Sequence, residues 1–189
     1  MKRHMKVDNN TEEWWNEYYS DWRGKTETHP MPDITNLLSM LTEGKDKVLD
    51  LGCGMGKYYP YIRSREYVGI DLSPKALAYA EEHADGGTWI CQDIIKHPIG
   101  AQEEYDLVCC GEMLEHVEDP LGIITQVHTA LKPNGIAVFH CPYENMIPAP
   151  AHLWFISEKD IRDWCKIFST YTLARWHQNW SNFLIVGRK

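Results

Sequence analysis

The chain has 189 residues, 43% of them hydrophobic and 24% charged, and a formal net charge of −8 at pH 7. This length suits one α/β domain and is too short for two domains of ordinary size. The negative charge argues against a nucleic acid as partner, because its phosphates are captured by positive surfaces. No apolar run approaches the roughly 20 residues of a membrane span.

The cysteines and the first residues bear on location. The six cysteines include no C-x-x-C pair, and four lie in or beside apolar runs that are typical of buried strands. Such a pattern is typical of reduced structural thiols. The polar residues 1–10 lack the apolar core of a signal peptide, so we expect a soluble, cytoplasmic protein.

The N-terminal region divides into a tail and an aromatic helix. Residues 1–10 offer little to bury, and we expect a flexible tail followed by a single domain over 11–189. Thr11 with Glu12 and Glu13 favours a helix start. Five rings then recur at intervals of three and four and share one helix face: Trp14, Trp15, Tyr18, Tyr19 and Trp22. This cap helix either packs onto the domain or covers a bound cofactor or substrate. Gly24 ends it, and a second helix is predicted over 33–41.

The strongest functional signal lies in residues 47–57. Val48, Leu49 and Leu51 form a short apolar run typical of a buried parallel strand. Three glycines follow at alternate positions, and a helix is predicted over 57–64. Such a turn lets backbone N–H groups and a helix dipole face a nucleotide. The G-x-G-x-G spacing differs from the G-x-G-x-x-G of dinucleotide sites, and the acid Asp50 before it favours a positively charged ligand.

The motif Asp50-Leu51-Gly52-Cys53-Gly54-Met55-Gly56 resembles the first motif of class I S-adenosylmethionine-dependent methyltransferases. In that family the acid lies near the methionine ammonium of the cofactor, and the glycines lie under its ribose and methionine portion. The alternative interpretation is a tight turn in another α/β protein.

Two further acids follow predicted strands. The strand over 67–70 ends at Asp71, whose carboxylate can accept hydrogen bonds from both ribose hydroxyls. Ser73 and a proline then open a helix. The strand over 88–91 leads to Asp93, which the resemblance assigns, with the amide after it, to adenine. The resemblance thus implies S-adenosylmethionine as cofactor, with contacts at Asp50, Gly52, Cys53, Gly54, Asp71, Leu72, Asp93, Ile94 and Glu112.

The rest of the chain completes the predicted fold. A strand over 105–110, a helix over 121–131, a turn at 132–135 and a strand over 135–141 continue the alternation. A helix over 157–168 precedes strands over 171–177 and 183–187, joined by a polar link at 178–182. The fold expected is therefore α/β: a Rossmann-like three-layer sandwich with a mostly parallel seven-stranded sheet and a C-terminal antiparallel hairpin.

His116 is the candidate catalytic residue. It follows the fourth strand at the cofactor end of the sheet, where an imidazole can take a proton from a hydroxyl acceptor. The alternative is that His116 bonds to the backbone and fixes its loop. We expect a methyltransferase that acts on a small molecule, at a hydroxyl, and Cys141-Pro142-Tyr143-Glu144-Asn145 is shared with quinone-biosynthesis O-methyltransferases.

Two other functions stay open. Glu112, Glu115 and His116 resemble the metal-binding E-x-x-E-H of RNA terminal ribose 2'-O-methyltransferases, and His152 stands near the place of a further ligand. The negative charge and the lack of a basic run argue against RNA, and we expect no metal. A scaffold or regulator that binds the cofactor without transferring its methyl group is the other alternative. The acceptor pocket is expected from residues 14–23, 143–155 and 176–180.

Overall fold

The computed structural model describes residues 2–3, 10–20, 32–143, 152–178 and 180–189. The helices in these ranges are α1 (Glu12–Ser20), α2 (Pro32–Thr42), α3 (Pro74–His83), α4 (Pro120–Ala130) and α5 (Glu158–Trp164). The strands are β1 (Lys2–Arg3), β2 (Lys47–Leu51), β3 (Glu66–Asp71), β4 (Thr88–Cys91), β5 (Tyr105–Gly111), β6 (Leu131–Pro142), β7 (Trp154–Phe155), β8 (Thr170–Gln178) and β9 (Trp180–Arg188). None of these helices is long and apolar enough to cross a membrane.

The main sheet has seven strands in the order β4-β3-β2-β5-β6-β9-β8. The strands from β4 to β6 are parallel, whereas β9 is antiparallel to both β6 and β8. This confirms the predicted α/β fold with its C-terminal antiparallel hairpin. The strand order reverses between β2 and β5, and ligands of open α/β sheets bind beyond the carboxyl ends of the strands at such a point.

Helices cover both faces of the sheet because β2 is apolar on both sides. Val48 packs in one cluster with Ile34 and Leu38 of α2. Leu49, which points to the other face, packs in the cluster that contains Ile123 of α4 and the buried side of α5. The sheet is thus the middle of three layers, as expected.

Two predicted helix starts are confirmed with their caps. The Ser73 hydroxyl accepts a hydrogen bond from the Ala76 amide at 3.2 Å, and the Asp119 carboxylate accepts one from the Gly122 amide at 2.9 Å. In both helices the residue after the cap is proline. Its lack of an N–H costs no hydrogen bond there, because the first residue of a helix has no acceptor within the helix.

The helix predicted over 57–64 is wrong. Only a 3₁₀ turn over Tyr59–Tyr61 forms between the glycine turn and β3. Pro60 is tolerated only in the first turn of a helix, and β3 already begins at Glu66, so no room for a longer helix remains. The expected helix dipole is therefore absent from the segment after the glycines.

Two other boundaries also differ. The polar link predicted at 178–182 is wrong, because Trp176 pairs with Asn182 and Gln178 with Trp180, which leaves only residue 179, outside the described residues. Within the segment expected as a tail, β1 pairs antiparallel with β7. Residues 4–9 lie outside the description, as do Trp22 and Gly24.

We expect the core to depend on Phe139, which is 1% exposed and packs beside Phe168. Phe139→Ala should lower the free energy of unfolding by about 3–5 kcal/mol through lost burial and the cavity left behind. Leu121→Ala, at a position 47% exposed on α4, is the apolar control and should change it by less than about 0.5 kcal/mol. Urea unfolding of both variants measures this, and equal losses would contradict the assigned core.

Candidate active site

A cavity of about 900 Å³ opens at the carboxyl ends of the parallel strands. Its wall is built from residues that directly follow β2, β3, β4 and β5, and α1 closes it from above. Seven of the residues predicted from the sequence lie on this wall: Gly52, Asp71, Leu72, Asp93, Ile94, Glu112 and His116. Asp50, Cys53 and Gly54 lie behind it.

The glycine turn is packed so closely that side chains would not fit. Gly52 and Gly54 adopt φ of +72° and +52°, which favour glycine. A Cβ on Gly52 would lie 2.9 Å from the Met113 sulfur, and one on Gly54 would lie 2.5 Å from the Tyr19 hydroxyl. The backbone of the turn therefore packs directly against Met113, in the loop after β5, and against Tyr19 of α1.

Asp71 links the glycine turn to α3. One carboxylate oxygen accepts the Gly54 amide at 2.7 Å, and the other accepts the Ser73 amide at 2.8 Å. Burial raises the pKa of Asp71, and these amides only partly offset the shift. Because a carboxylate accepts about four hydrogen bonds, Asp71 retains capacity for a ribose hydroxyl beyond these amides.

Asp93 is held by its own loop. It accepts the backbone amides of Ile95 and Lys96 and forms an ion pair with the Lys96 ammonium at 2.9 Å. Partial burial would raise the pKa of Asp93, but Lys96 and the amides lower it overall. Its charge is thus compensated locally, although the side chain still lies on the cavity wall.

Asp50 lies beneath the glycine turn and is 1% exposed. Its carboxylate accepts a hydrogen bond from the Tyr67 hydroxyl at 2.9 Å. Burial raises the pKa of Asp50 to about 6, with Tyr67 and Cys109 opposing the shift. Asp50, the acid predicted before the glycines, therefore lies behind the residues that line the cavity.

Helix α1 roofs the cavity. The Asn16 side-chain oxygen accepts the Ser73 hydroxyl at 2.7 Å and the Lys75 amide at 3.3 Å, which attaches α1 to the start of α3. Tyr19 covers Gly54, and the edge of Trp15 packs on the His116 ring with centroids 5.0 Å apart. This geometry favours the cover interpretation of the aromatic face over mere packing.

His116 belongs to a cluster with Glu115 and His152. Their ligand atoms all lie within 4.8 Å of one another, and His116 Nε2 is 3.6 Å from Glu115 Oε1. The Leu153 amide donates to the Glu115 carbonyl at 2.8 Å, which brings the segment after residue 151 to this place. Three of the four residues considered as metal ligands are thus adjacent.

Glu115 has an unusual environment in this cluster. It is 1% exposed, and neither carboxylate oxygen has a hydrogen-bond partner in the described part of the chain. Burial raises the pKa of Glu115 well above its ordinary value, and the nearby Glu112 charge adds to the shift. A buried carboxylate of this kind needs either a proton or a cation.

The fourth candidate ligand, Glu112, points elsewhere. Its Oε1 lies 2.6 Å from Nδ1 of the buried His140, which also contacts Asn182. Burial alone would raise the pKa of Glu112, but His140 and the nearby Lys57 charge lower it overall. Glu112 of the E-x-x-E-H pattern therefore lies with His140 and Asn182, whereas the Glu115 and His116 of the pattern lie with His152.

Sequence reasoning missed four residues of the site: Asn16, Met113, His140 and Asn182. His140 lies in an apolar run that predicted only a buried strand, and Asn182 was assigned to a link. A histidine near the carboxyl end of a parallel strand was the one available signal. Of the expected acceptor pocket, 21–23 and 144–151 lie outside the described residues.

The family follows from comparison with known proteins. Residues 22–180 match the model of a methyltransferase domain. The chain belongs to the class I S-adenosylmethionine-dependent methyltransferases. A ubiquinone biosynthesis O-methyltransferase of Leptothrix cholodnii is 31% identical over 176 residues, which cover 77% of this chain and 75% of the relative. One from Vibrio campbellii is 35% identical over 137 residues, but the match spans only 58% of that protein and 66% of this chain.

Solved structures share the fold of this methyltransferase. The magnesium protoporphyrin IX methyltransferase of Synechocystis, solved with bound S-adenosylhomocysteine, has a TM-score of 0.72 at 17% identity and covers 94% of this chain and 98% of its own. A methyltransferase in complex with the Haloferax volcanii activator Trm112 has a TM-score of 0.75 at 16% identity and covers 95% and 97%.

The cofactor is S-adenosylmethionine, and the cavity fits it. The Asp71 carboxylate has capacity for a ribose hydroxyl, Gly52 of the glycine turn lies on the wall, and Glu112 places a carboxyl group on the same wall.

The pKa of Asp50 predicts a pH effect on stability. The folded-state pKa of about 6 lies above the ordinary 3.8, so the native state binds this proton more tightly than the unfolded state. Without cofactor, the carboxyl should therefore lower the free energy of unfolding as pH rises from about 4 to about 6, by about 3 kcal/mol. Asp50→Asn should remove this loss. Urea unfolding of both proteins at each pH isolates it, and parallel pH profiles would contradict the assignment.

Proposed function

We propose that this methyltransferase transfers the methyl group to a hydroxyl of a small-molecule acceptor. The observation that carries the proposal is the Glu115–His116–His152 cluster, with His116 on the wall of the cofactor cavity. Methylation of a hydroxyl requires a group that removes its proton, whereas the sulfonium of the cofactor supplies the electrophilic methyl group. The printed names of the curated relatives, O-methyltransferases of ubiquinone biosynthesis, support the hydroxyl.

In this proposal His116 is the general base. Trp15 and His152 pack against its ring with centroids 5.0 and 4.9 Å away, which fixes its orientation. Nε2 faces the Glu115 carboxylate, so an imidazolium formed by proton transfer would be stabilised there. Helix α1 covers the cavity from above, next to His116.

A divalent cation held by Glu115, His116 and His152 is the second candidate for activating the hydroxyl. It is favoured by the two buried Glu115 oxygens, which a cation would satisfy. The RNA substrate considered with such a site is disfavoured, because Glu12, Glu13 and Glu118 add negative charge to the cavity wall.

We assign the cofactor contacts as follows. Asp71 binds the ribose, Asp93 and Ile94 face the adenine, and Leu72 lines the cavity between them. Gly52, Cys53 and Gly54 provide the turn under the methionine portion, Asp50 contributes charge from beneath it, and Glu112 contributes charge from the wall. Location in the cytoplasm is a further proposal, supported by six free thiols.

The ribose assignment predicts weaker binding in Asp71→Asn. We expect affinity for S-adenosylhomocysteine to fall by about 1.5–3 kcal/mol, the value of hydrogen bonds to a charged group. Asp85→Asn is the matched control, because Asp85 accepts the Tyr59 hydroxyl at 2.9 Å away from the cavity. Calorimetric titration measures both, and an unchanged dissociation constant in Asp71→Asn would exclude the ribose role.

The hydroxyl proposal predicts a choice between matched acceptors. Phenols should give S-adenosylhomocysteine, measured by mass spectrometry, whereas the corresponding anilines should not. His116→Ala should slow the reaction by about 10²- to 10⁴-fold while cofactor binding persists. Methylation of anilines alone would exclude the proposal, and cofactor binding without transfer to any acceptor would favour the scaffold alternative.

The same assay separates the base from the cation. If His116 acts alone, chelator leaves the rate unchanged, and His152→Ala retains most of it. If a cation is required, chelator and any one of three alanine substitutions in the cluster abolish transfer, and added magnesium or manganese restores the chelated wild type.

A further inference from the structure

The Glu112 carboxylate is held by a buried polar chain that the proton transfer described above does not use. Glu112 adopts φ of +56°, a left-handed conformation that costs a residue with a side chain of order 1 kcal/mol or more. Its amide donates to the His140 carbonyl at 2.7 Å, which keeps it there. The result is a carboxylate that leaves the end of β5 in a fixed direction on the cavity wall.

The side chains of His140 and Asn182 meet this carboxylate. His140 Nδ1 lies 2.6 Å from Glu112 Oε1, and the Asn182 amide nitrogen lies 3.3 Å from the same oxygen and 2.9 Å from His140 Nε2. Reversing the Asn182 amide would place its oxygen against the carboxylate, which is repulsive. The amide nitrogen therefore faces both Nε2 and the carboxylate, and the Nδ1 side of the His140 ring faces Glu112.

The chain spans three adjacent strands at some energetic cost. His140 on β6 and Asn182 on β9 are each 2% exposed, and burying such groups is unfavourable unless they are hydrogen-bonded. Asn182 pairs with Pro142, two residues beyond His140, so both side chains lie on one face of the sheet.

Glu112 differs from the other wall carboxylates of the nucleotide site in its charge balance. Asp93 is neutralised by Lys96, and Asp71 is bound by two amides at the ribose position. Glu112 lies instead against His140 and Asn182, and no lysine or arginine among the described residues forms an ion pair with it. Its neighbour Met113 contacts the glycine turn, which places Glu112 beside the part of the cavity assigned to the methionine end.

We propose that His140 and Asn182 are positioning residues that hold the Glu112 carboxylate against the cationic methionine end of S-adenosylmethionine. The proposal rests on the cofactor contacts assigned above and adds two residues that do not themselves touch the ligand. Glu112 contributes the charge, and His140 and Asn182 set its direction.

Calorimetry with two ligands tests this. S-adenosylhomocysteine carries the amino-acid end, whereas 5'-methylthioadenosine has the same adenine, ribose and thioether without it. We expect the affinity for S-adenosylhomocysteine to fall by about tenfold or more in each of three variants, Glu112→Gln, His140→Ala and Asn182→Leu. The affinity of these variants for methylthioadenosine should change by less than about twofold. His140→Asn should retain most of the affinity, because its amide nitrogen stands near the position of Nδ1 and still donates.

The control is Thr42→Val, which removes two hydrogen bonds of the buried Thr42 hydroxyl outside the cavity lining, one donated to the Leu38 carbonyl within α2 and one accepted from the Arg63 amide, and should leave both affinities unchanged. If His140→Ala does not fold, the affinities of His140→Asn and Asn182→Leu for the two ligands test the proposal instead. Equal weakening of both ligands, or of neither, would overturn the positioning role alone. Wild-type protein that binds neither ligand would overturn the cofactor assignment as well.

Discussion

The Asp71 carboxylate is the constraint on which the site depends. Through the Gly54 and Ser73 amides it joins the turn after β2 to the start of α3. Ser73 in turn donates to Asn16, so α1 is attached to the same point. Only a 3₁₀ turn follows the glycine turn, which is held by this carboxylate and by the Ile70 carbonyl that accepts the Gly52 and Cys53 amides. The glycine turn, the start of α3 and helix α1 are therefore all linked to the Asp71 carboxylate.

Four carboxylates near the cavity differ because their partners differ. Asp50 is buried against a tyrosine and has a raised pKa, Asp93 is neutralised by a lysine, and Asp71 is bound by amides. Glu112 is held by His140 and Asn182 from two other strands of the sheet. A cofactor with a positive sulfonium and ammonium suits such a wall. Glu115, whose buried carboxylate has no hydrogen-bond partner among the described residues, belongs to the separate cluster with His116 and His152, which suits proton removal or a cation.

The sequence predicted the fold and most of the wall because both depend on local patterns. Apolar runs placed the parallel strands, and residues directly after them, such as Asp71 and Glu112, had to share one edge of the sheet. The helix after the glycines failed because Pro60 and the early start of β3 oppose it. The partners of Glu112 were not predictable, since His140 and Asn182 meet it only through strand pairing. The shielding of Asp50 depends likewise on Tyr67 from the next strand.

A crystal structure of the wild-type protein with S-adenosylhomocysteine tests the central claim most directly, which is that one cavity presents the methyl donor to the Glu115–His116–His152 cluster. The account predicts ribose hydroxyls on Asp71 and a sulfur atom whose open side faces His116. A ligand bound elsewhere, or a sulfur turned away from the cluster with no route for an acceptor between them, would contradict it.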